Sequence, residues 1–98
     1  MATKQEIIEA KGLVLVDFYS DNCMHCKNIE PTLKKIESKI KVIKFNIQDD
    51  MDFVQSLGIS NLPTLIIFGG GKELKRFDNV QWKGDIVRAI KICKDLIN

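Results

Sequence analysis

The hydrophobic positions of the chain fall into short solid runs separated by stretches of helical spacing. Leu13 to Tyr19 (LVLVDFY) is a near-continuous apolar run, which predicts a strand covered on both faces, as in the middle of a parallel sheet. From Cys23 the period changes. Ile29, Leu33, Ile36 and Ile40 recur at i, i+4, i+7 and i+11, one face of a helix, with Pro31 inside it to kink it. VIKFNI (42–47) predicts a second strand and TLIIF (64–68) a third. Between them Asp49 and Asp50 can cap a short helix that stops near Gly58. The GGG at 69–71 can turn the chain back so that KELKRF (72–77) pairs as a more exposed edge strand. Ile86, Ile90, Cys93 and Ile97 repeat the helical stripe on a last helix. At the other end, Thr3 and Glu6 have capping-box spacing, and Gly12 can close a short first helix. The predicted order is α-β-α-β-α-β-β-α. Its alternating first half implies parallel strands joined by right-handed crossovers, and its second half adds an antiparallel hairpin with a helix returning over one face.

Composition changes this picture little. The 98 residues are 45% apolar and 29% charged, without a Ser/Gly/Pro-rich linker or repeat, so residues 1–98 read as one domain with its own core. Fifteen basic against thirteen acidic residues leave a net charge of +2, too weak to argue for nucleic acid. Lys34, Lys35, Lys39 and Lys41 are locally dense but fall on the polar side of the helix pattern, as a solvated face does. The N-terminal MATKQEIIEAKG lacks the apolar segment of a secretory signal, and no stretch approaches the roughly 18 apolar residues of a membrane span. A cytoplasmic protein without membrane attachment is the expectation.

That setting sharpens the chemistry of DNCMHCKN (21–28). Structural disulfides are rare in the cytosol, so Cys23 and Cys26, three apart, point to redox or metal chemistry more than to structure. Zinc needs about four ligands. Only Cys23, Cys26, His25 and Cys93 could be recruited, and Cys93 belongs to an apolar helix stripe, so no metal is expected. A cysteine that follows a buried strand and opens a helix meets unpaired N–H groups and a partial positive charge, and both favour the thiolate. Cys26 lies about one turn deeper. An exposed thiolate that attacks a disulfide, backed by a sheltered thiol that resolves the product, is the asymmetry such an exchange needs. Two further residues stand out. Asp17 interrupts an otherwise apolar strand, where an unpaired carboxylate is costly and tends to hold its proton; it reads either as a solvated carboxylate at the strand end or, the favoured reading, as a base that accepts the proton of Cys26, with Lys44 on the next strand as a partner. Pro63, in NLPT (61–64), stands just before a strand; an ordinary trans loop proline is the simplest reading from the residues alone.

VLVDFYSDNCMHCKNIEPTL, VIKFNI and GISNLPTLIIFGGGKEL, in this order and spacing, resemble the thioredoxin family over about Leu13 to Leu96. The resemblance implies an α/β thioredoxin fold: a central mixed sheet of four or five strands, a parallel βαβ half plus an antiparallel hairpin, with helices on both faces. It makes Cys23 the attacking and Cys26 the resolving thiol of a redox-active disulfide. Asp17 matches the buried aspartate that assists proton transfer, Lys44 the lysine near it, and Pro31 the proline of the active-site helix. Pro63 matches a cis-proline opposite the disulfide, with Leu62, Pro63 and Thr64 forming the substrate-binding turn; the backbone of Leu62 would bond an extended substrate segment as an added strand does. The implied partners are protein disulfides and a thioredoxin-reductase-like electron donor, with no bound cofactor and a monomeric protein.

The departures lie at the rim. Asn22-Cys23-Met24-His25-Cys26 replaces the family's Trp-Cys-Gly-Pro-Cys, Trp82 lies elsewhere, and Asn79 replaces a glycine in the loop before the last helix. Oxidising relatives, protein disulfide isomerase and the periplasmic disulfide oxidase, also carry histidine before the resolving cysteine. His25 can stabilise the Cys23 thiolate, and stabilising the reduced form makes a disulfide a better oxidant. Asp21 opposes this by its charge, and Met24 donates no hydrogen bond. The expectation is a thiol–disulfide oxidoreductase less reducing than ordinary thioredoxin, with His25, Met24 and Lys44 tuning it. Two alternatives stay open: an oxidase or isomerase, and a thioredoxin-like binding module without redox turnover.

Overall fold

A computed structural model describes residues 1–78 and 83–97. The elements are α1 (Lys4–Glu9), β1 (Leu13–Tyr19), α2 (Met24–Asn28), α3 (Glu30–Ile36), β2 (Lys41–Asn46), α4 (Met51–Ser56), β3 (Thr64–Gly69), β4 (Lys72–Phe77) and α5 (Lys83–Ile97), with a 3-10 turn at Ile47–Asp49. The strands form one sheet in the order β2-β1-β3-β4. β1 is central. It runs parallel to β2 and antiparallel to β3, and β3 pairs antiparallel with β4. The sheet is thus the mixed one expected, with four strands among the described residues.

The apolar runs are explained by this placement. β1 alternates its side chains between two faces, and both are covered. Val14, Val16 and Phe18 pack with Ile43, Phe45, Ile66 and Phe68 under Ile7 of α1 and Phe53 and Val54 of α4. Leu15 packs on the other face with Leu65 and Ile67, under Ile29, Leu33 and Ile36 and under Ile86, Ala89, Ile90 and Cys93 of α5. The rings of Phe18, Phe45 and Phe53 sit 5.4 to 6.2 Å apart in tilted and edge-on pairs, in the favourable range for aromatic contact.

Local chemistry sets the ends. Thr3 accepts the Glu6 N–H at 3.1 Å and starts α1. Asp50 alone caps α4, accepting the Phe53 N–H at 3.0 Å, while Asp49 lies in the 3-10 turn. Gly70 and Gly71 both have positive φ (59° and 80°), the backbone of a two-residue hairpin turn between β3 and β4. A side chain at Gly71 would also meet the Ile8 carbonyl oxygen at 3.2 Å.

Three expectations are corrected. The active-site helix is not one kinked helix but two, α2 and α3, divided at Ile29; Pro31 in the first turn of α3 supplies no N–H to continue the ladder from α2. The helix also stops at Ile36, and Ile40 reaches the core from the turn before β2. On α5 the stripe is Ile86, Ala89, Ile90 and Cys93, and Ile97 at its end is 46% exposed. Asn79 and Trp82 lie outside the described residues.

Candidate active site

β1 carries the site at its C-terminal end. After Tyr19 the chain turns, the Cys23 N–H donates to the Ser20 carbonyl at 3.4 Å, and α2 begins with Cys23 as its N-cap. The Cys23 Sγ accepts the Cys26 N–H at 3.1 Å. The two sulfurs are joined as a disulfide, with Cα atoms 5.3 Å apart. Their environments differ as the helix start predicts: Cys23 is half-buried, whereas Cys26 is 4% exposed. The loop before them is tied down by Asn46, whose Nδ2 donates to Asp21 Oδ1 at 3.2 Å and whose own oxygen accepts the Gln48 N–H at 3.0 Å. Asn46 was not singled out from the sequence; its signal is a polar residue closing an apolar strand, with a side chain that favours turns.

Asp17 projects from β1 onto the face covered by α3 and α5. It is fully buried, and neither carboxylate oxygen has a hydrogen-bond partner. Burial pushes its pKa up to about 6, opposed by the charge of Lys44 and helped by that of Glu30. Cys26 precedes Ile29 and Leu33, which pack on this same face of the sheet. Lys44 stands opposite Asp17 in the β1–β2 register, but the expected pairing is not formed. Its ammonium bonds the Glu30 carboxylate and lies 5.0 Å from the centre of the Tyr19 ring. This pairing holds the Glu30 carboxyl below the usual range and raises Lys44 above its own. Glu30 is thus a site residue that the sequence reading missed. Its signals are its place four residues after Cys26 and immediately before Pro31.

The turn before β3 lies at the same end of the sheet, since Thr64 pairs with Phe18. The Leu62–Pro63 peptide is cis. Leu62 is half-buried and Pro63 buried. Thr64 offers no side chain to a substrate: it is fully buried, and its hydroxyl donates to the Asn61 carbonyl, closing the turn from within. Between the cysteines, Met24 is 73% exposed and His25 is exposed. Cys93 is a free thiol in the core, its pKa raised by burial. Among the described residues no cluster of three or more His, Cys, Asp or Glu side chains is gathered as for a metal, and no helix is long and apolar enough to cross a membrane.

Residues 2–92 match the family model described as Thioredoxin. Thioredoxin of Chlamydia caviae is 37% identical over 84 residues, 83% of this chain and 82% of that protein. Thioredoxin 1 of a Nostoc species is 37% identical over 75 residues, 72% and 70% of the two chains. Thioredoxin of Rickettsia felis is 31% identical over 88 residues, 86% and 84%. Among solved structures, a mutant thioredoxin from Halobacterium salinarum shares the fold with a TM-score of 0.83 at 22% identity, covering 92% of this chain and 81% of that one.

Proposed function

This chain belongs to the thioredoxin family of thiol–disulfide oxidoreductases, and on that premise we propose a working cycle for its Cys23–Cys26 pair. The observation that carries it is the unequal burial of the two joined cysteines at the end of the strand that holds Asp17. In the dithiol form the Cys23 thiolate attacks one sulfur of a protein disulfide. That bond breaks, the departing sulfur takes a proton, and a mixed disulfide remains on Cys23. Cys26 passes its proton to the Asp17 carboxylate and attacks the Cys23 Sγ. The mixed disulfide breaks, the second substrate thiol leaves with a proton, and two electrons have moved from the pair to the substrate. A carboxyl titrating near 6 suits this exchange, because it is ionised at neutral pH yet basic enough to take a proton.

Substrate docks as an extended segment against the backbone of Leu62, beside Pro63, as an added strand does. A reductase of the thioredoxin-reductase type returns the pair to the dithiol. The protein acts as a monomer, in the cytoplasm, with residues 1–98 folding as one domain and without a bound cofactor.

His25 and Met24 set the potential. Both side chains reach solvent beside Cys23. A positive or hydrogen-bonding imidazole there favours the thiolate, and the thiolate favours the reduced state. The potential is therefore less reducing than the roughly −270 mV of ordinary thioredoxin, by an amount on the scale of 30 mV per 1.4 kcal/mol. Equilibration with a glutathione redox buffer measures it. His25→Pro is expected to make the pair more reducing by about 30 mV. A wild-type potential at or below about −270 mV would refute this tuning.

A further inference from the structure

Asp17 and Lys44 stand opposite each other in the parallel β1–β2 register and project from the same face of the sheet. An ammonium free to turn inward from that position would pair with the buried carboxylate and fix it as an anion. It does not do so. Both Asp17 oxygens are without a partner, while Lys44 is drawn outward to Glu30 at the start of α3 and over the Tyr19 ring. The side chains of Lys44 and Glu30 are each 45% exposed and line a cavity of about 100 Å3 between α3 and β2. Water reaches the Lys44–Glu30 pair but not Asp17.

We propose that Glu30 is a positioning residue: its carboxylate holds the Lys44 ammonium away from Asp17, and so leaves Asp17 free to exchange a proton with Cys26. This rests on the proposed role of Asp17 and adds to it the device that keeps the carboxyl unpaired. The charged groups around Asp17 are few. Lys44 comes from β2 and Glu30 from α3; Tyr19 acts on Lys44, and Lys27 and Lys34 act on Glu30. β3 sets Leu65 opposite Asp17 and contributes no ionisable side chain. α5 brings Ile86, Ala89, Ile90 and the Cys93 thiol to the same face, and on α2 the Cys26 sulfur is held in the disulfide.

Removing the Glu30 charge has two effects of one sign. The carboxylate that discourages ionisation of Asp17 is gone, and Lys44 is released towards Asp17. Both lower the pH at which Asp17 loses its proton. The test follows the Asp17 carboxyl carbon by NMR titration of the oxidised protein, whose active-site cysteines do not titrate. Glu30→Gln removes only an exposed ion pair, so the fold is retained. It is expected to lower the Asp17 midpoint by about one unit. In a Lys44→Met background the same substitution should lower it by less than half as much. A midpoint that stays or rises in Glu30→Gln, or falls equally with and without Lys44, overturns the proposal. Failure of the underlying role for Asp17 shows separately, as an Asp17→Ala protein that reduces insulin at the wild-type rate.

Discussion

Asp17→Ala is expected to make the protein more stable and slower at once. The folded carboxyl holds its proton up to about pH 6, against 3.8 for the group in its ordinary state. Each unit of difference is worth about 1.4 kcal/mol, so ionised Asp17 costs the fold about 3 kcal/mol at pH 8. The sign follows from the proton. Because the folded state binds it more tightly, the stabilisation it brings is complete below pH 3.8 and is lost as pH rises through 6. Alanine removes the charge and leaves a small void, so a net gain of about 2 kcal/mol is expected at pH 8, shrinking to nothing or a small loss near pH 4. Urea unfolding of the oxidised protein at the two pH values measures it. Equal effects at both, or destabilisation at pH 8, would contradict the buried, unpartnered carboxyl. Disulfide reduction should meanwhile slow by about tenfold. That is less than the ~10²-fold of a fully committed base, since water can take part of the proton transfer at the half-buried Cys23 side.

Cys26→Ser should convert a turnover catalyst into a trap. With the resolving thiol gone, the Cys23 thiolate still attacks a substrate disulfide, but nothing displaces the product, and a covalent mixed disulfide accumulates. Intact-mass spectrometry with a disulfide-containing peptide reads the adduct directly, one peptide thiol per protein. Cys23→Ser should give no adduct within the same time, because the two remaining thiols, Cys26 at 4% and Cys93 at 3% exposed, have no open approach to a substrate. Adducts forming faster on Cys26 than on Cys23 would reverse the assignment of the two roles. The trap also identifies the protein's targets, which adduct capture from a cell extract names by sequencing.

The frame of this protein is legible wherever a residue's type conflicts with its neighbours. LVLVDFY marks a covered strand because it is solidly apolar, and Asp17 stands out because it alone breaks the run. The CxxC at the next junction gains its meaning from that strand. What stayed hidden depends on partners distant in sequence. Nothing local says that Lys44 will leave the residue opposite it for Glu30, because Glu30 reaches it from α3, fourteen residues earlier in the chain. Pro31 announces an interrupted helix, but whether the interruption is a kink or a break at Ile29 is settled by how Ile29 and Leu33 seat on the sheet. Thr64 shows the limit of reading a motif as a list of contacts. It belongs to the turn named from sequence, yet its hydroxyl faces inward to Asn61 and shapes the loop from beneath. The cis geometry before Pro63 is not encoded in the dipeptide itself; it was expected from the family pattern and is present in the fold.

The most direct measurement of the central claim is the reduction of insulin disulfides by dithiothreitol, followed as turbidity, with wild type beside Cys26→Ser. A cycle through Cys23 and Cys26 predicts that catalytic amounts of wild type accelerate the reaction severalfold or more, while Cys26→Ser performs at the rate of dithiothreitol alone. Indistinguishable curves for the two proteins would contradict the redox cycle and leave the fold as a binding module whose cysteines do not turn over.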